Sequence, residues 1–274
     1  MLNSNFNFTL RKLATDSSQT PAPIRSVFRA VNILICLSNG VNTLTNIADC
    51  CKLTKPTVYR LLKTLEELLM VTQDPVTHHY YLGPLINQIA SNPQANHHYL
   101  ITCALEEMKQ LWDLSWETVE LSIMVGIQYV RLHEIPSKHS LKVLEGPDPV
   151  GPVYVGATAK VLLSQLDDSE LKAALKNIRI SGVTEHSVTN KKDLIAQSKE
   201  IRQQGHAISY GERITGALCI SVPITSYFWP AALSVIAPES RIESKVDEFL
   251  EILKVSSHRI TNNITEFFQA KGVI

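Results

Sequence analysis

Lys55, Thr57, Tyr59, Arg60 and Lys63 crowd into a short stretch of chain, interleaved with Val58, Leu61, Leu62 and Leu65. In a helix Val58, Leu61, Leu62 and Leu65 form one stripe, and that stripe must be buried. At 100° per residue Pro56, Arg60 and Lys63 then project from the opposite side, with Thr57 and Tyr59 on its flanks. Two long cations, a hydroxyl and a phenol on an outward face are the chemistry of a duplex reader. Arg or Lys reaches guanine edges or phosphates, and the threonine methyl meets thymine. Lys55 adds a cation at the start of the same helix. The competing reading is an ordinary three-helix bundle whose charged face is only solvated.

Other reactive residues are set out less favourably. His78-His79, His97-His98 and Cys50-Cys51 are adjacent pairs whose side chains point apart, whereas metal motifs use separated ligands. Cys219 sits in an apolar stretch with no base nearby in sequence, which reads as a buried or pocket-lining thiol rather than a nucleophile. Glu106-Glu107 and Asp167-Asp168 read as solvated helix faces or caps. There is no Gly-rich phosphate loop, no Gly-x-Ser-x-Gly and no kinase signature. The expectation is therefore no catalytic residue, no metal and no cofactor: not an enzyme.

The duplex-reading helix needs partners to hold it. Residues 26–37 carry Val27, Val31 and Leu34 at helical spacing, with Ser26 as a cap and Gly40 beyond the end. A second helix opens after Leu44 or Thr45, where Leu44, Ile47, Ala48 and Cys51 recur at i, i+3, i+4 and i+7. After a short turn, Thr54 is the expected N-cap of the third helix, and Pro56 lies in its first turn, where a missing N–H costs nothing. Two strands, 70–73 and 79–82, then flank the loop 74–78. Helix, helix, turn, helix, hairpin is the layout of a winged helix-turn-helix, spanning 25–83. The wing loop holds no Lys or Arg, only Thr77, His78 and the adjoining His79. Its contribution at neutral pH is expected to be minor, with DNA binding strengthening below pH ~6.5 as histidines charge; the competing reading is that these histidines are only solvated.

Residues 1–24, rich in Asn, Ser, Thr and Pro, read as a flexible arm. A linker helix and linker occupy 84–97. From 98 to 274 helix and strand signals alternate: helices near 99–112, 156–166, 171–177, 191–204 and 241–268, strands within 118–133, 206–209, 217–222 and 231–237, and turns over 145–152. Residues 214–238 carry no charge, long enough to span a bilayer. Pro223, Pro230 and scattered hydroxyls suit two buried strands joined by a turn better than a lipid-facing helix. The aromatic turn Ser226-Tyr227-Phe228-Trp229 reads as either an oligomer contact or a locally buried loop.

The whole chain agrees with this division. Its 274 residues favour two domains, and 45% apolar with 19% charged residues is the composition of a globular protein. Lys plus Arg equals Asp plus Glu, 26 against 26, which excludes a uniformly basic nucleic-acid coat. Within 25–82, however, six cations (Arg25, Arg29, Lys52, Lys55, Arg60, Lys63) face four anions (Asp49, Glu66, Glu67, Asp74). Five cysteines with no Cys-x-x-Cys pair, and no apolar signal segment, point to a reduced, cytoplasmic protein.

Several segments carry a family resemblance. Ser26-Val27-Phe28-Arg29-Ala30, Leu44-Thr45-Asn46-Ile47-Ala48 and the run from Leu53 to Leu65 resemble the DNA-binding domain of IclR-type transcriptional regulators. Tyr80-Tyr81-Leu82-Gly83-Pro84 is similar to that family's wing strand. In the second part, the run from Pro152 to Leu163, Gly205-His206-Ala207, the run from Gly216 to Ile224, and Ala231-Ala232-Leu233-Ser234-Val235 resemble its effector domain. The resemblance covers about 25–270.

It implies an α/β two-domain protein: an N-terminal winged helix-turn-helix plus a C-terminal GAF-like α/β effector-binding domain. The implied partners are double-stranded operator DNA, a small-molecule effector and further copies of the chain, as a homodimer or a dimer of dimers. By similarity the effector pocket is lined by Ala157, Thr158, Ser209, Cys219, Ser234 and Ile236. Helix-start amides at Ala157 and Thr158 suit a carboxylate, in keeping with the family's small organic acids. Ser209 stands where some relatives have an acidic residue and Ile236 where some have serine, so a larger or more apolar ligand is implied. The DNA-contact set is Lys55, Thr57, Tyr59, Arg60, Lys63, Thr77 and His78. The alternative is a GAF-like sensor or hydrolase whose helical head serves only oligomerisation.

Overall fold

The computed structural model describes residues 24–144, 146 and 148–270. The arm expected over 1–24 lies, but for Ile24, outside the described residues. They pack as two units, one ending at Asn96 and the other starting at His97.

The first unit contains helices α1 (Arg25–Ser38), α2 (Leu44–Cys51) and α3 (Lys55–Glu67). The hairpin of β1 (Val71–Gln73) and β2 (Tyr80–Leu82) follows, then the short helices α4 (Pro84–Ile89) and α5 (Pro93–Asn96). Helix α2 begins earlier than the sequence suggested, because Thr43 Oγ1 accepts the Asn46 N–H at 3.2 Å. It stops at Lys52, whose left-handed φ of 52° turns the chain sharply into α3. Thr54 occupies the N-cap position of α3, but its hydroxyl pairs with the Thr57 hydroxyl at 2.9 Å rather than with a helix amide.

Ile33, Leu37, Ile47, Val58, Leu62, Leu65, Val71 and Tyr80 make one core that fixes α3 against its neighbours. Leu62 is fully enclosed, and its truncation to Ala would cost about 2–5 kcal/mol. The Tyr80 amide donates to the Asn42 carbonyl at 2.8 Å, which ties the wing to the loop between α1 and α2. The expected inward stripe of α1 is corrected. Ile33, Cys36 and Leu37 face the core, whereas Val27 and Val31 join Ile24 and Phe28 on an exposed apolar face.

The second unit opens with α6 (His98–Ser115) and the strands β3 (Thr118–Val125), β4 (Gln128–Ile135) and β5 (Val150–Pro152). Helices α7 (Gly156–Ser164), α8 (Asp168–Lys176) and α9 (Lys191–Gln204) follow. Next come β6 (Ala207–Tyr210), β7 (Ala217–Ile224), β8 (Ala231–Pro238), the short α10 (Glu239–Ile242) and α11 (Val246–Ala270). The six strands form one sheet in the order β5-β4-β3-β8-β7-β6, every neighbouring pair antiparallel. A 3-10 turn at Glu243–Lys245 interrupts what the sequence read as one closing helix.

Side-chain alternation divides the sheet into two faces. Val119, Leu121, Ile123, Leu218, Ile220, Val222, Leu233 and Val235 point to one face, where α6 and α11 cover them with Leu111, Leu253 and Ile264. The opposite residues include Glu120, Ser122, Cys219, Ser221 and Ser234, on the side of α7. Both faces of β7 and β8 are therefore covered, which explains why 214–238 carries no charge. Among the described residues no helix is long and apolar enough to cross a membrane.

Candidate DNA-reading helix and effector pocket

On α3, Lys55, Tyr59 and Arg60 are exposed and Thr57 is half-buried, held by its bond to Thr54. Lys63 is engaged within the helix: Nζ lies 2.7 Å from Glu66 Oε2 and 5.8 Å from the centre of the Tyr59 ring. The hydrogen bond to Glu66 pushes the Lys63 ammonium further above its ordinary value. An exposed pair of this kind contributes little stability. Thr77 and His78 lie at the exposed wing tip. There Asp74 Oδ1 accepts the N–H groups of Val76 (2.7 Å) and Thr77 (3.0 Å). These two bonds, Thr77's the stronger influence, hold the Asp74 carboxyl below the usual carboxylate range.

In the second unit a cavity of about 30 Å³, room for a water molecule or two, opens at the start of α7. Ala157, Thr158, Ser209, Cys219 and Ile236, all expected from the sequence, line it. Ser234 does not: it is fully buried behind Thr158, with its hydroxyl 2.8 Å from Thr158 Oγ1, and it donates to Ser221 Oγ at 2.9 Å. Alternation put Ser234 on the right face of β8, but the Thr158 side chain stands between it and the space.

The helix-start amides are occupied by the protein itself. Ala157 N–H donates to Ser209 Oγ at 3.0 Å, and Gly156 N–H to Glu212 Oε2 at 3.3 Å. Buried backbone donors need partners, and these two side chains supply them.

Sequence reasoning missed Glu212, Arg213 and Lys160. Glu212 and Arg213 line the cavity, and Lys160 Nζ reaches Glu212 Oε1 at 2.5 Å with both side chains nearly buried. A signal was present, since Lys160 is the one charge in the apolar run 153–163. Arg213 lies over the Tyr129 ring, 4.5 Å from its centre, and a Cβ on Gly151 would fall 2.1 Å from its Nη2. The Tyr129 hydroxyl in turn donates to the fully buried Glu120 at 2.9 Å, as does Ser122 at 2.6 Å. Gly151 thus clears the path by which the guanidinium stacks on the ring.

Tyr227 and Phe228 of the aromatic turn pack against the core, and Trp229 stays 42% exposed. His97 meets both Tyr227, through a hydrogen bond, and the edge of Trp229. Burial pushes its imidazole below the ordinary histidine range.

A winged helix with an exposed cationic face, in one chain with a sheet domain that holds a mostly apolar pocket carrying Glu212 and Arg213, defines a DNA-binding regulator with a ligand-sensing domain. Comparison with known proteins narrows the class. Residues 26–75 match the family described as IclR helix-turn-helix domain, and residues 94–262 match Bacterial transcriptional regulator IclR C-terminal. The HTH-type transcriptional regulator KdgR of Escherichia coli (strain K12) is 28% identical over 250 residues, covering 90% of this chain and 95% of its own.

Two solved structures are similar. The C-terminal domain of E. coli KdgR matches with 28% identity and a TM-score of 0.54, over 60% of this chain and 98% of that one. An IclR homolog from Microbacterium hydrocarbonoxydans, complexed with 4-hydroxybenzoate, shares the fold with a TM-score of 0.57 at 19% identity, over 88% and 99%. The chain belongs to the IclR family of bacterial transcriptional regulators. It is a regulator and not an enzyme, which removes the hydrolase alternative.

Proposed function

We propose that this protein is a cytoplasmic homo-oligomer, a dimer or a dimer of dimers, that reads a near-palindromic operator and releases or tightens on it when a small organic acid binds. Residues 25–83 are the reader, 84–97 the linker and 98–274 the effector domain. The observation that carries the reading is α3, whose apolar stripe is consumed by the core while Lys55, Tyr59 and Arg60 remain exposed. Thr57, Lys63, Thr77 and His78 complete the DNA-contact set. The exposed Ile24, Val27, Phe28 and Val31 face on α1 supports contact between copies, because an apolar stripe of this kind gains by being covered.

A carboxylate suits the pocket because the Arg213 guanidinium lines it at the positive end of α7; to seat there the acid would displace Ser209 and Glu212 from the helix-start amides and widen the small cavity. A relative of this fold holding 4-hydroxybenzoate, itself a carboxylate, supports the same class. Ala157, Thr158, Ser209, Cys219 and Ile236 shape the space, and Ser234 braces Thr158. Regulation follows from linkage: the acid changes operator affinity only by binding the DNA-competent and incompetent states unequally, with a coupling of about 1–3 kcal/mol.

The test is selection of bound sequences from a random duplex library at ~150 mM salt, repeated with pooled organic acids. The expected result is a near-palindrome with half-sites about one helical turn apart, lost in Arg60→Ala. No enrichment under either condition refutes the reading.

A further inference from the structure

Three thiols meet in the DNA-binding unit, although the sequence separates one of them from the others by a helix and a loop. Cys36 on α1 is buried, and its Sγ lies 2.9 Å from Cys50 Sγ and 3.6 Å from Cys51 Sγ at the end of α2. Cys50 is exposed and Cys51 half-buried, and all three are free thiols. Considered as an adjacent pair, Cys50 and Cys51 carry no chemistry. The fold supplies what the pair lacks, a third sulfur approaching from another helix.

Among the described residues no cluster has the arrangement to hold a metal ion, and the sulfur–sulfur contact is itself the geometry that redox chemistry needs. A disulfide needs sulfurs ~2.05 Å apart, and Cys36 and Cys50 come within roughly 1 Å of that distance. Access divides the two roles. Cys50 meets solvent, whereas Cys36 is buried with its sulfur against Cys50. The exposed sulfur is the one an oxidant reaches, and the enclosed sulfur is the one already in place to resolve the product.

We propose that Cys36 and Cys50 form an oxidation site, converted by a peroxide to a reversible disulfide that braces α1 against the end of α2. In the first step the Cys50 sulfur attacks hydrogen peroxide. An S–O bond forms, the O–O bond breaks, and the departing hydroxide takes the thiol proton to leave as water. In the second step the Cys36 sulfur attacks the sulfenic sulfur. The S–S bond forms, the S–O bond breaks, and the hydroxide released takes the Cys36 proton as a second water. Two thiols lose two electrons and two protons, and one peroxide becomes two waters. A cytosolic thiol pool returns the bond to the dithiol, so the link is transient. Because Lys52 and the turn into α3 follow Cys51 directly, the link fixes the base of the DNA-reading helix.

The experiment uses the full-length chain, reduced and then exposed to hydrogen peroxide, with free thiols blocked by iodoacetamide. Trypsin releases all three cysteines on one peptide, residues 30–52. The expected mass carries one alkyl group and has lost two hydrogens, in place of three alkyl groups before oxidation. Dithiothreitol before blocking restores all three.

The Cys51→Ser variant leaves only the proposed pair, and its peptide is expected to take up no alkyl group after peroxide. Two alkyl groups on that peptide, or Cys50 carried to sulfinic acid beside an alkylated Cys36, overturns the proposal. So does an undiminished disulfide in Cys36→Ala, which would assign the bond to Cys50 and Cys51. None of these readouts requires DNA or effector, so failure here is separable from failure of the regulatory reading.

Discussion

Lys160 and Glu212 form a nearly buried ion pair beside the pocket, with side chains 5% and 11% exposed. At the 2.5 Å contact, two unit charges attract by about 7 kcal/mol at an effective dielectric of 20. Removing each ion from water costs several kcal/mol, so attraction and desolvation nearly cancel and the intact pair contributes little net stability. Breaking it from one side is different, because the attraction goes while the other ion stays buried. Lys160→Met is therefore expected to destabilise the effector domain by about 3–5 kcal/mol. Adding Glu212→Gln removes the stranded charge and keeps an acceptor for the Gly156 amide, and should recover at least ~2 kcal/mol of that loss.

The assay is urea denaturation followed by tryptophan fluorescence. The three tryptophans, Trp112, Trp116 and Trp229, all lie in the second unit, so the signal reports that domain without the winged helix. A cost under ~1 kcal/mol for Lys160→Met, or strictly additive single and double variants, would refute the argument.

Three further outcomes are expected. Gly151→Ala places a methyl 2.1 Å from Arg213 Nη2 and moves the guanidinium off Tyr129. Titration calorimetry with an organic acid found by the screen should show weakened binding while the thermal midpoint stays within a few degrees. Unchanged affinity would remove Arg213 from the site. Gly83→Ala meets rigid backbone instead, its Cβ 2.2 Å from the Leu69 carbonyl oxygen, and should destabilise the first unit by about 1–3 kcal/mol or more. Circular dichroism melting that matches wild type would contradict this.

Lowering the pH from 8 to 6 should strengthen DNA binding, and replacing His78 and His79 by Gln should abolish the change. The wing turn itself stays formed in this window. The Asp74 carboxyl is held below its unfolded value of ~3.9, so its stabilisation is fully present above that value and is lost only as pH falls through the lower folded one. Equal affinity at both pH values, measured at constant salt, would count against a wing contribution.

The parts of the fold that were legible are those where one periodic stripe had one possible partner. Val58, Leu62 and Leu65 repeat at helical spacing on α3 with charges opposite, so burial and exposure followed together. On α1 two apolar arcs compete, Val27 with Val31 and Ile33 with Leu37. Periodicity reveals both arcs and cannot say which one meets a neighbour. Strand β5 was unreadable because three edge residues including Gly151 and Pro152 carry turn chemistry, and their pairing with β4 is decided at a distance. In the pocket, the resemblance found residues on α7, β6, β7 and β8. It gave no hint of Lys160 meeting Glu212 across 52 positions, a contact that exists only once β6 is laid beside α7.

The amides at the start of α7 are not vacant: Glu212 accepts one and Ser209 the other. On the proposed reading, an incoming acid would enter by exchange and would have to dislodge the receptor's own tethered anion before seating. Such an internal rival would set a threshold, so that weak or fleeting acids would fail while one that also engaged Arg213 would succeed. Eviction would also part Glu212 from Lys160, converting occupancy of a small cavity into a shift of the whole 211–216 loop between β6 and β7. The sensor's set-point would then be tunable at Glu212, without altering any residue that the ligand touches in its final seat.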